Sequence, residues 1–375
     1  MEALFQGFLS LTWQQAVMIG IGLTLIWLAA AKEYEPSLLL PMGFGTVLVN
    51  IPMTAALTQA VGGTVVPGAI SVLFDAGIAN EMFPLLIFIG IGAMMDFSPV
   101  MERPVYALFG LTAQAGIFLT MGLAYYVFGF SVREAASIGI IGAADGPTSI
   151  FVSSRFAPQL LGPISVAAYS YMSMVPVIQP PVVRALTTKE ERRMNMTLRA
   201  GRTVSKRARI LFPIVVTIVV GIFAPSSSTL IGFLMFGNLL RESGVVARLS
   251  NSAQNELANI VTIMLGLGIS CTMTGDRFLR ADTLMILGMG LVAFVFDTAG
   301  GVLSAKLLNL FMKEKINPMI GAAGISAFPM SSRTIQQMAA REKPGTFVLM
   351  QASAANVAGQ IGSVVAGGLL LALLS

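Results

Sequence analysis

Long apolar segments, separated by short polar loops, run through the whole chain. Segments 13–31, 81–96, 282–305 and 346–374 approach or exceed the length that a helix needs to cross a bilayer, about 20 residues. Charged residues make up only 11% of the 375 residues, against about 25% in an average soluble domain. The sequence therefore predicts an all-α polytopic membrane protein, and its length allows roughly ten crossings.

The remaining segments differ in how well they suit a span. Further apolar segments lie at 36–52, 104–129, 158–180, 210–224, 228–240 and 256–274. Residues 62–80 mix Gly, Pro and Asp75 with apolar residues, which indicates an interfacial helix or loop. Two regions, 131–156 and 317–335, are broken by Gly, Pro and polar residues. We call them the first and second interrupted regions, and predict a broken or re-entrant helical hairpin at each.

The lack of histidine and the presence of a single cysteine exclude several kinds of catalytic and metal site. The chain has no histidine, which excludes His metal ligands, His proton relays and Ser-His-Asp catalysis. Its one cysteine, Cys271, excludes an intramolecular disulfide and any thiolate cluster within the chain. A proton-transfer step would therefore depend on carboxyl, hydroxyl or water groups.

The first interrupted region carries a carboxylate inside a broken apolar segment. Asp145 is followed by Gly146, Pro147, Thr148 and Ser149. A charge at bilayer depth costs roughly 2.5–3.5 kcal/mol on insertion scales, and Pro147 also removes a backbone donor. This double cost indicates a functional site, whereas the alternative is a polar loop outside the membrane.

Basic residues concentrate in a central linker, 184–209, and set the predicted orientation. The cations of this linker are Arg184, Lys189, Arg192, Arg193, Arg199, Arg202, Lys206, Arg207 and Arg209. The positive-inside rule places the linker in the cytoplasm and the N-terminus outside, although Arg133 and Arg155 beside the first interrupted region oppose this orientation. The linker either anchors the topology alone or also docks an acidic partner or anionic membrane lipids; no nucleic-acid partner is expected.

The two halves of the chain resemble each other in the same order. Residues 141–145 (IGAAD) correspond to 320–324 (IGAAG), each followed by a Pro and then by Ser-Ser-Arg. Upstream, 88–92 parallels 265–268, and 43–45 parallels 236–237. We predict two membrane repeats, 1–183 and 210–375, inserted with opposite orientation so that the interrupted regions meet near the midplane. That arrangement is typical of secondary transporters.

Oxygen-bearing side chains accompany Asp145 in this arrangement. By repeat correspondence the candidates are Thr148, Ser149, Asn317, Ser326, Ser331 and Ser332, and the last span adds Asn356 and Ser363 on one helix face. Carboxylate, hydroxyl and amide oxygens suit Na+ or a proton rather than a soft metal. The alternative for Asn356 and Ser363 is hydrogen bonding between helices.

Three other side chains each have two interpretations. Tyr169 and Tyr171, in one apolar span, are each either an interfacial anchor or a proton donor in a chain without histidine. Arg333, at the cytoplasmic mouth of the second interrupted region, either receives a carboxylate-bearing ligand or extends to the interface as an anchor.

These motifs resemble the beta subunit of the sodium-pumping, biotin-dependent decarboxylases. The matching runs are 142–151 (GAADGPTSIF), 168–181 (AYSYMSMVPVIQPP), 238–245 (NLLRESGV), 316–333 (INPMIGAAGISAFPMSSR) and 356–363 (NVAGQIGS). The family's complexes decarboxylate oxaloacetate, methylmalonyl-CoA or glutaconyl-CoA. The segment around 55–75 is much shorter here than in enterobacterial oxaloacetate-type members, which weighs against an oxaloacetate assignment.

The resemblance implies a subunit that accepts carboxybiotin, releases carbon dioxide, consumes a proton and exports Na+ across the bacterial cytoplasmic (inner) membrane. It implies no covalently bound biotin, and as partners an alpha (carboxyltransferase) subunit, a biotin carrier subunit, a small membrane-anchoring subunit and two further copies of this chain in a homotrimer. The roles it implies are as follows: Asp145, Tyr171 and Arg333 as catalytic; Arg333, Ser326 and Tyr171 at carboxybiotin; Asp145, Thr148, Asn317, Gly321, Ser326, Asn356 and Ser363 at Na+. The alternatives are a plain sodium- or proton-coupled transporter without chemistry, and a structural membrane scaffold.

Overall fold

The first half of the chain is a series of helices broken at Gly, Pro and polar residues. A computed structural model describes Gly7 and residues 9–61, 63–196 and 204–374. Its helices in this half are α1 (Trp13–Lys32), α2 (Pro36–Val49), α3 (Ala69–Gly77), α4 (Met82–Met94), α5 (Ser98–Glu102), α6 (Ala107–Thr112), α7 (Ala115–Tyr126), α8 (Val132–Gly139), α9 (Gly146–Phe156), α10 (Leu161–Ser173) and α11 (Val175–Leu186). Single 3₁₀ turns lie at Pro104–Tyr106, Ile140–Ala143 and Pro158–Leu160.

The second half is equally helical. Its helices are α12 (Lys189–Arg192), α13 (Lys206–Phe223), α14 (Ser228–Ser243), α15 (Ala247–Ser252), α16 (Ala258–Ile269), α17 (Gly275–Phe278), α18 (Ala281–Phe311), α19 (Met319–Ala322), α20 (Met330–Glu342) and α21 (Leu349–Leu374). A π-helical turn, Ala253–Leu257, joins α15 to α16, and 3₁₀ turns lie at Pro225–Ser227 and Ser270–Thr272. The predicted all-α class is confirmed.

The strands of the described residues form one short hairpin in the segment where a helix or loop was expected. β1 (Gln59–Val61) pairs antiparallel with β2 (Thr64–Val66), and Gly63 takes a positive φ of 82° at the turn. Three consecutive β-branched residues in β2 favour the extended backbone. The hairpin therefore replaces part of the predicted loop, and α3 supplies the helix.

Five helical stretches of the described residues are long and apolar enough to cross a membrane. They are Trp13–Lys32, Pro104–Tyr126, Ala247–Thr272, Ala281–Phe311 and Leu349–Leu374. Two bent pairs, α3 with α4 at 63° and Pro158–Ser173 with α11 at 68°, raise the number to seven if each pair is one span. This is fewer than the ten that the length allows, because several apolar segments are short or bent.

Helices of the two halves pack against each other reciprocally. The glycine-bearing α2 packs on α16, where Gly266 meets Pro41. Its counterpart in the repeat, α14, packs on α4, where Gly237 meets the backbone of Ile89. Such exchange of partners is what a two-fold relation between the halves requires, whereas their opposite orientation in the membrane stays a prediction.

The two interrupted regions meet in the interior of the protein. The amide of Ser326 donates to the carbonyl oxygen of Ala143 at 3.0 Å. Ala144 and Ile325, one from each region, share an apolar cluster with Phe294 of α18. The predicted contact between the regions is therefore present.

The central linker is partly folded back onto the second half. The guanidinium of Arg192 is buried and donates to Glu342 at 2.9 Å, and Lys306 lies 3.2 Å from Glu191. Arg199 and Arg202 lie outside the described residues. Part of the linker's charge is therefore neutralised within the chain.

Candidate cation site at Asp145

The backbone of the first interrupted region breaks just before Asp145. Ala144 takes a left-handed conformation with a φ of 52°, and Asp145 follows in an extended one. α9 then starts at Gly146, with Pro147 in its first turn, where the missing N–H costs nothing. Asp145 is consequently the N-cap of α9, and its Oδ1 accepts from the amide of Thr148 at 3.3 Å.

The second carboxylate oxygen of Asp145 collects three side-chain donors. Its Oδ2 accepts from the Thr148 hydroxyl at 2.7 Å, the Ser363 hydroxyl at 2.7 Å and the Gln360 amide at 2.5 Å. All four residues are buried. The sequence prediction had brought together Asp145, Thr148 and Ser363, and the structure places them in direct contact.

The donors around Asp145 are all neutral. No salt bridge to Asp145 exists among the described residues, although its carboxylate sits at the positive N-terminal end of α9. Hydroxyl groups that donate to a carboxylate still offer lone pairs to a cation. The three donors can therefore stabilise the ionised Asp145 carboxylate by hydrogen bonds alone, or the carboxylate and the hydroxyl oxygens can together bind a small hard cation.

The second interrupted region contributes backbone carbonyls and small residues rather than charge. Ser326 donates its hydroxyl to the carbonyl of Gly359 at 2.8 Å, and Asn356 donates its amide to that of Ile325 at 2.6 Å. Gly324 packs directly against the backbones of Phe109 and Gly359. The region is thus fastened to α21, the helix that supplies Gln360 and Ser363.

Several buried amide oxygens near this junction lack a donor among the described residues. They are Oδ1 of Asn356, Oε1 of Gln114 and Oε1 of Gln179. The amide nitrogens of Asn356 and Gln179 donate to carbonyl groups of the second interrupted region, and that of Gln114 donates to the carbonyl of Gly110 on α6. These bonds fix which end of each amide is the oxygen. Unpaired acceptors of this kind suit a hard cation better than an empty apolar junction.

Two predicted ligands lie away from Asp145. The amide of Asn317 donates to the carbonyl oxygens of Arg192 and Met194, at 3.3 and 2.9 Å, and its oxygen accepts from the amide of Met319. Gly321 packs backbone to backbone against Gly301 of α18. In this conformation Asn317 ties the linker to the second interrupted region, and Gly321 permits a close helix contact.

The two tyrosines of α10 occupy different surroundings. The hydroxyl of Tyr171 donates to the carbonyl of Leu287, and its ring packs on Gly290 of α18. The ring of Tyr169 instead packs against Gly146, next to Asp145. Tyr169 therefore lies beside the residue that carries the carboxylate, whereas Tyr171, which the family resemblance selected, bonds to α18.

Arg333 lines a cavity of about 400 Å³ that reaches the start of α9. Pro147 and Tyr169 line it from the first half, and Glu35, in the loop between α1 and α2, borders it as well. Arg333 is exposed, and burial raises the pKa of the Glu35 carboxyl above its ordinary value. The cavity therefore connects an exposed guanidinium to the neighbourhood of Asp145.

Sequence reasoning missed four buried polar residues. Gln360 lies four residues after Asn356 and three before Ser363, so the one-face argument for that pair applies to it equally. Gln114 and Gln179 are amides in apolar segments, and Asp297 is a carboxylate in the middle of the 31-residue α18. The available signal was the same for each: a polar residue within an apolar run.

Together, the fold and the site define a multi-pass helical membrane protein with a buried carboxylate where two broken helical regions meet. Comparison with known proteins defines it further. The family described as the Na+-transporting oxaloacetate decarboxylase beta subunit matches residues 14–374. The chain belongs to this family.

Relatives with three different substrates in their names align along almost the whole chain. The methylmalonyl-CoA decarboxylase subunit beta of Propionigenium modestum is 47% identical over 98% of this chain and 96% of its own. The glutaconyl-CoA decarboxylase subunit beta of Acidaminococcus fermentans is 49% identical over 98% and 95%. The oxaloacetate decarboxylase beta chain 2 of Salmonella typhi is 44% identical over 99% and 98%.

The lengths of these alignments differ. The alignment with the oxaloacetate relative spans 426 positions, well beyond the length of this chain, against 383 and 367 for the two acyl-CoA relatives. The oxaloacetate relative therefore carries segments that this chain lacks, in agreement with the short 55–75 segment. The predicted beta-subunit family is confirmed, and with it the role of a decarboxylase (translocase) subunit.

Proposed function

We propose that this chain decarboxylates carboxybiotin delivered by a biotin carrier and couples the reaction to Na+ export, with consumption of one proton. The observation that carries the proposal is the buried Asp145 carboxylate, surrounded by neutral donors where the two interrupted regions meet. Membership in a Na+-transporting decarboxylase family supports both halves of the proposal.

Na+ is the transported substrate in this proposal. Asp145 supplies the negative charge, the hydroxyls of Thr148 and Ser363 supply neutral oxygens, and the unpaired amide oxygen of Asn356 lies at the same junction. Hard monovalent cations prefer such oxygen ligands. A carboxylate held only by neutral donors gains more from a cation than one already paired with Lys or Arg.

The cavity at Arg333 suits the biotin group. Its volume of about 400 Å³ falls within the roughly 300–1,000 Å³ range of small-molecule sites. Carboxybiotin supplies a carboxyl group that leaves as carbon dioxide. Arg333 orients the anionic carboxyl group by a charge-assisted hydrogen bond, and the apolar wall made by residues such as Met172 and Phe328 excludes water.

Loss of carbon dioxide leaves an electron pair on nitrogen that must receive a proton. Without histidine, the candidates are a tyrosine hydroxyl or a water molecule held by Asp145. We keep Tyr171 as the donor carried by the family resemblance and add Tyr169, whose ring packs beside Asp145 and lines the cavity. Competition of Na+ and a proton for the Asp145 site then couples chemistry to transport.

The proposal also includes the orientation of the chain in the membrane and its partner subunits. The basic linker 184–209 and Arg333 face the cytoplasm, from which the biotin carrier arrives, and the chain lies in the inner membrane. Its partners are the alpha (carboxyltransferase) subunit, the biotin carrier, a small membrane-anchoring subunit and two further copies of this chain. The alignment lengths favour a methylmalonyl-CoA- or glutaconyl-CoA-type complex over an oxaloacetate-type one.

Carbon dioxide release by the purified complex in lipid vesicles tests the proposal. We expect release that depends on carboxybiotin, increases with Na+ and is blocked by avidin. The proposal is wrong if the vesicles transport Na+ while no biotinylated subunit co-purifies and avidin has no effect. That outcome would identify a plain Na+-coupled transporter.

A further inference from the structure

A second buried carboxylate, Asp297, packs against the first interrupted region, the region that carries Asp145. Asp297 sits near the middle of α18 and has no exposed surface. Its Oδ1 packs against Gly116 at the start of α7, and its Oδ2 packs against Gly142. Gly142 is three residues before Asp145, so the two carboxylates flank the same stretch of backbone.

The two carboxylates have opposite surroundings. Asp145 Oδ2 alone accepts three side-chain hydrogen bonds. Neither oxygen of Asp297 has a partner with hydrogen-bond geometry among the described residues, although the backbone amides of Gly116 and Ile117 are close. An ionised carboxylate in such a position lacks the hydrogen bonds and counter-charge that burial normally demands.

No charged side chain of the described residues compensates Asp297. α18 packs against α6, α7, α8, α10, α11 and α19 and against the 3₁₀ turn Ile140–Ala143. The titratable groups of these elements are Tyr125, Tyr126, Arg133, Glu134, Tyr169, Tyr171 and Arg184. Of these, Tyr171 faces α18 at Gly290, two turns from Asp297, and the arginines are exposed. Binding of a proton is therefore the way to neutralise this buried, unpartnered carboxylate.

The space at Asp297 fits a proton and excludes Na+. Backbone atoms of Gly116 and Gly142 lie so close to its oxygens that neither glycine has room for a Cβ. The backbone N–H groups of Gly116 and Ile117, at the positive end of α7, lie close to Asp297 and disfavour a cation there.

We propose that Asp297 is a proton-binding site, separate from the cation site at Asp145. The protein then has two buried carboxyl groups with divided tasks: Asp145 exchanges ions and Asp297 holds a proton. Because Asp297 contacts the backbone of Gly142, movement of the segment that carries Asp145 changes the surroundings of this proton.

Infrared spectroscopy of the complex in lipid tests this without substrate or turnover, and so independently of the proposed function. Asp145 and Asp297 are the buried aspartates of the described residues. In the Asp145→Asn background with ¹³C-carboxyl-labelled aspartate, we expect an isotope-shifted carbonyl band of a protonated acid at neutral pH. The band should be present in both Na+ and K+ buffers, and the Asp145→Asn/Asp297→Asn double variant should lack it.

Two results would overturn the inference. A spectrum unchanged by the second substitution would mean that Asp297 is ionised, and a band present in K+ but lost in Na+ would mean that Na+ binds there. Should the double variant fail to fold, the comparison of labelled and unlabelled Asp145→Asn protein decides alone. Absence of a shifted protonated-acid band would then reject the proton site.

Discussion

The two interrupted regions have similar sequences but do different things. Both carry Ile-Gly-Ala-Ala before the break, and then one has Asp145 where the other has Gly324. Around Asp145 the chain places side-chain donors, whereas around Gly324 it places backbone atoms of Phe109 and Gly359. The first region thus supplies charge, and the second supplies close packing and carbonyl groups.

This difference shows how a repeat can build one site from two halves. A second carboxylate at position 324 would have no room and would face another anion across the junction. The glycine at 324 instead leaves room for the backbone of Phe109, and Gly359 of α21 lets that helix approach closely enough for its Gln360 and Ser363 to reach Asp145. The packing in the second region is therefore a condition for the chemistry in the first.

The largest expected effect comes from neutralising the first region. Asp145→Asn keeps the shape of the side chain and removes the charge, so Na+ export by reconstituted vesicles should fall by roughly a hundredfold, since contacts with a charged group contribute about 1.5–3 kcal/mol each. Asp75→Asn, at an exposed aspartate of α3, is the matched control and should export normally. Export at the control's rate by Asp145→Asn would remove Asp145 from the mechanism.

Substituting one glycine of each region with alanine tests which region is more closely packed, because the substitution should lower the stability more where there is less room. Gly324→Ala places a methyl group against the backbone of Phe109, which cannot move aside, and should cost about 1–3 kcal/mol. Gly146→Ala meets the ring of Tyr169, which borders a cavity and can shift, and should cost less. Thermal unfolding in detergent measures both.

An open glycine provides the control for these two variants. Gly288→Ala in α18 has no neighbour within 4 Å and should be neutral or stabilising by roughly 0.5–1 kcal/mol. If Gly324→Ala unfolded at the temperature of Gly288→Ala, the second region would not be the close-packed one.

Removing the α21 hydroxyl that bonds to the first region, or a hydroxyl of the second region itself, gives a smaller difference. Ser363→Ala deletes a donor to Asp145, and should raise the Na+ concentration for half-maximal turnover by about fivefold, the equivalent of about 1 kcal/mol. Ser326→Ala deletes a hydroxyl that bonds the carbonyl of Gly359, and should change that concentration less. Equal shifts in the half-maximal Na+ concentration of the two variants would contradict the proposal that the first region binds the ion and the second supplies close packing.

How far the sequence predicts this site depends on the kind of contact. A polar position in the last span and the family resemblance selected Ser363, which lies 218 residues from Asp145. Residue type and spacing suffice to place Thr148 beside Asp145, because one local turn joins them. They fail for Asn317, whose amide is taken by carbonyl groups of the linker more than 120 residues away. Long-range contacts of this kind are not encoded in spacing.

The fold shows the same limit. Apolar length predicted the helical membrane class and placed the first and last spans within a few residues. It did not predict the β1–β2 hairpin, which depends on three β-branched residues and one turn, or the role of Gln360. The sequence analysis did not select Asp297, because the apolar residues around it in the 31-residue helix predict an ordinary membrane span.

The smallest expected effect concerns the cavity between the regions. Glu35 lies outside the spanning helices, and burial raises the pKa of its carboxyl. The folded protein therefore retains this proton above the unfolded pKa of about 4.3, and its stability falls as pH rises from there through the folded-state pKa. Glu35→Gln should unfold at a slightly higher temperature than wild type at pH 8 and at the same temperature near pH 4. A variant less stable than wild type at pH 8 would contradict the assigned burial effect.

Equilibrium binding of ²²Na+ to the purified complex, without carboxybiotin, tests most directly whether Asp145 holds the transported ion. The wild type and Ser326→Ala should each bind Na+ saturably, and Asp145→Asn should lose that binding at the same protein concentration. Saturable binding of equal affinity and stoichiometry in Asp145→Asn would contradict the account, because the ion would then be held elsewhere.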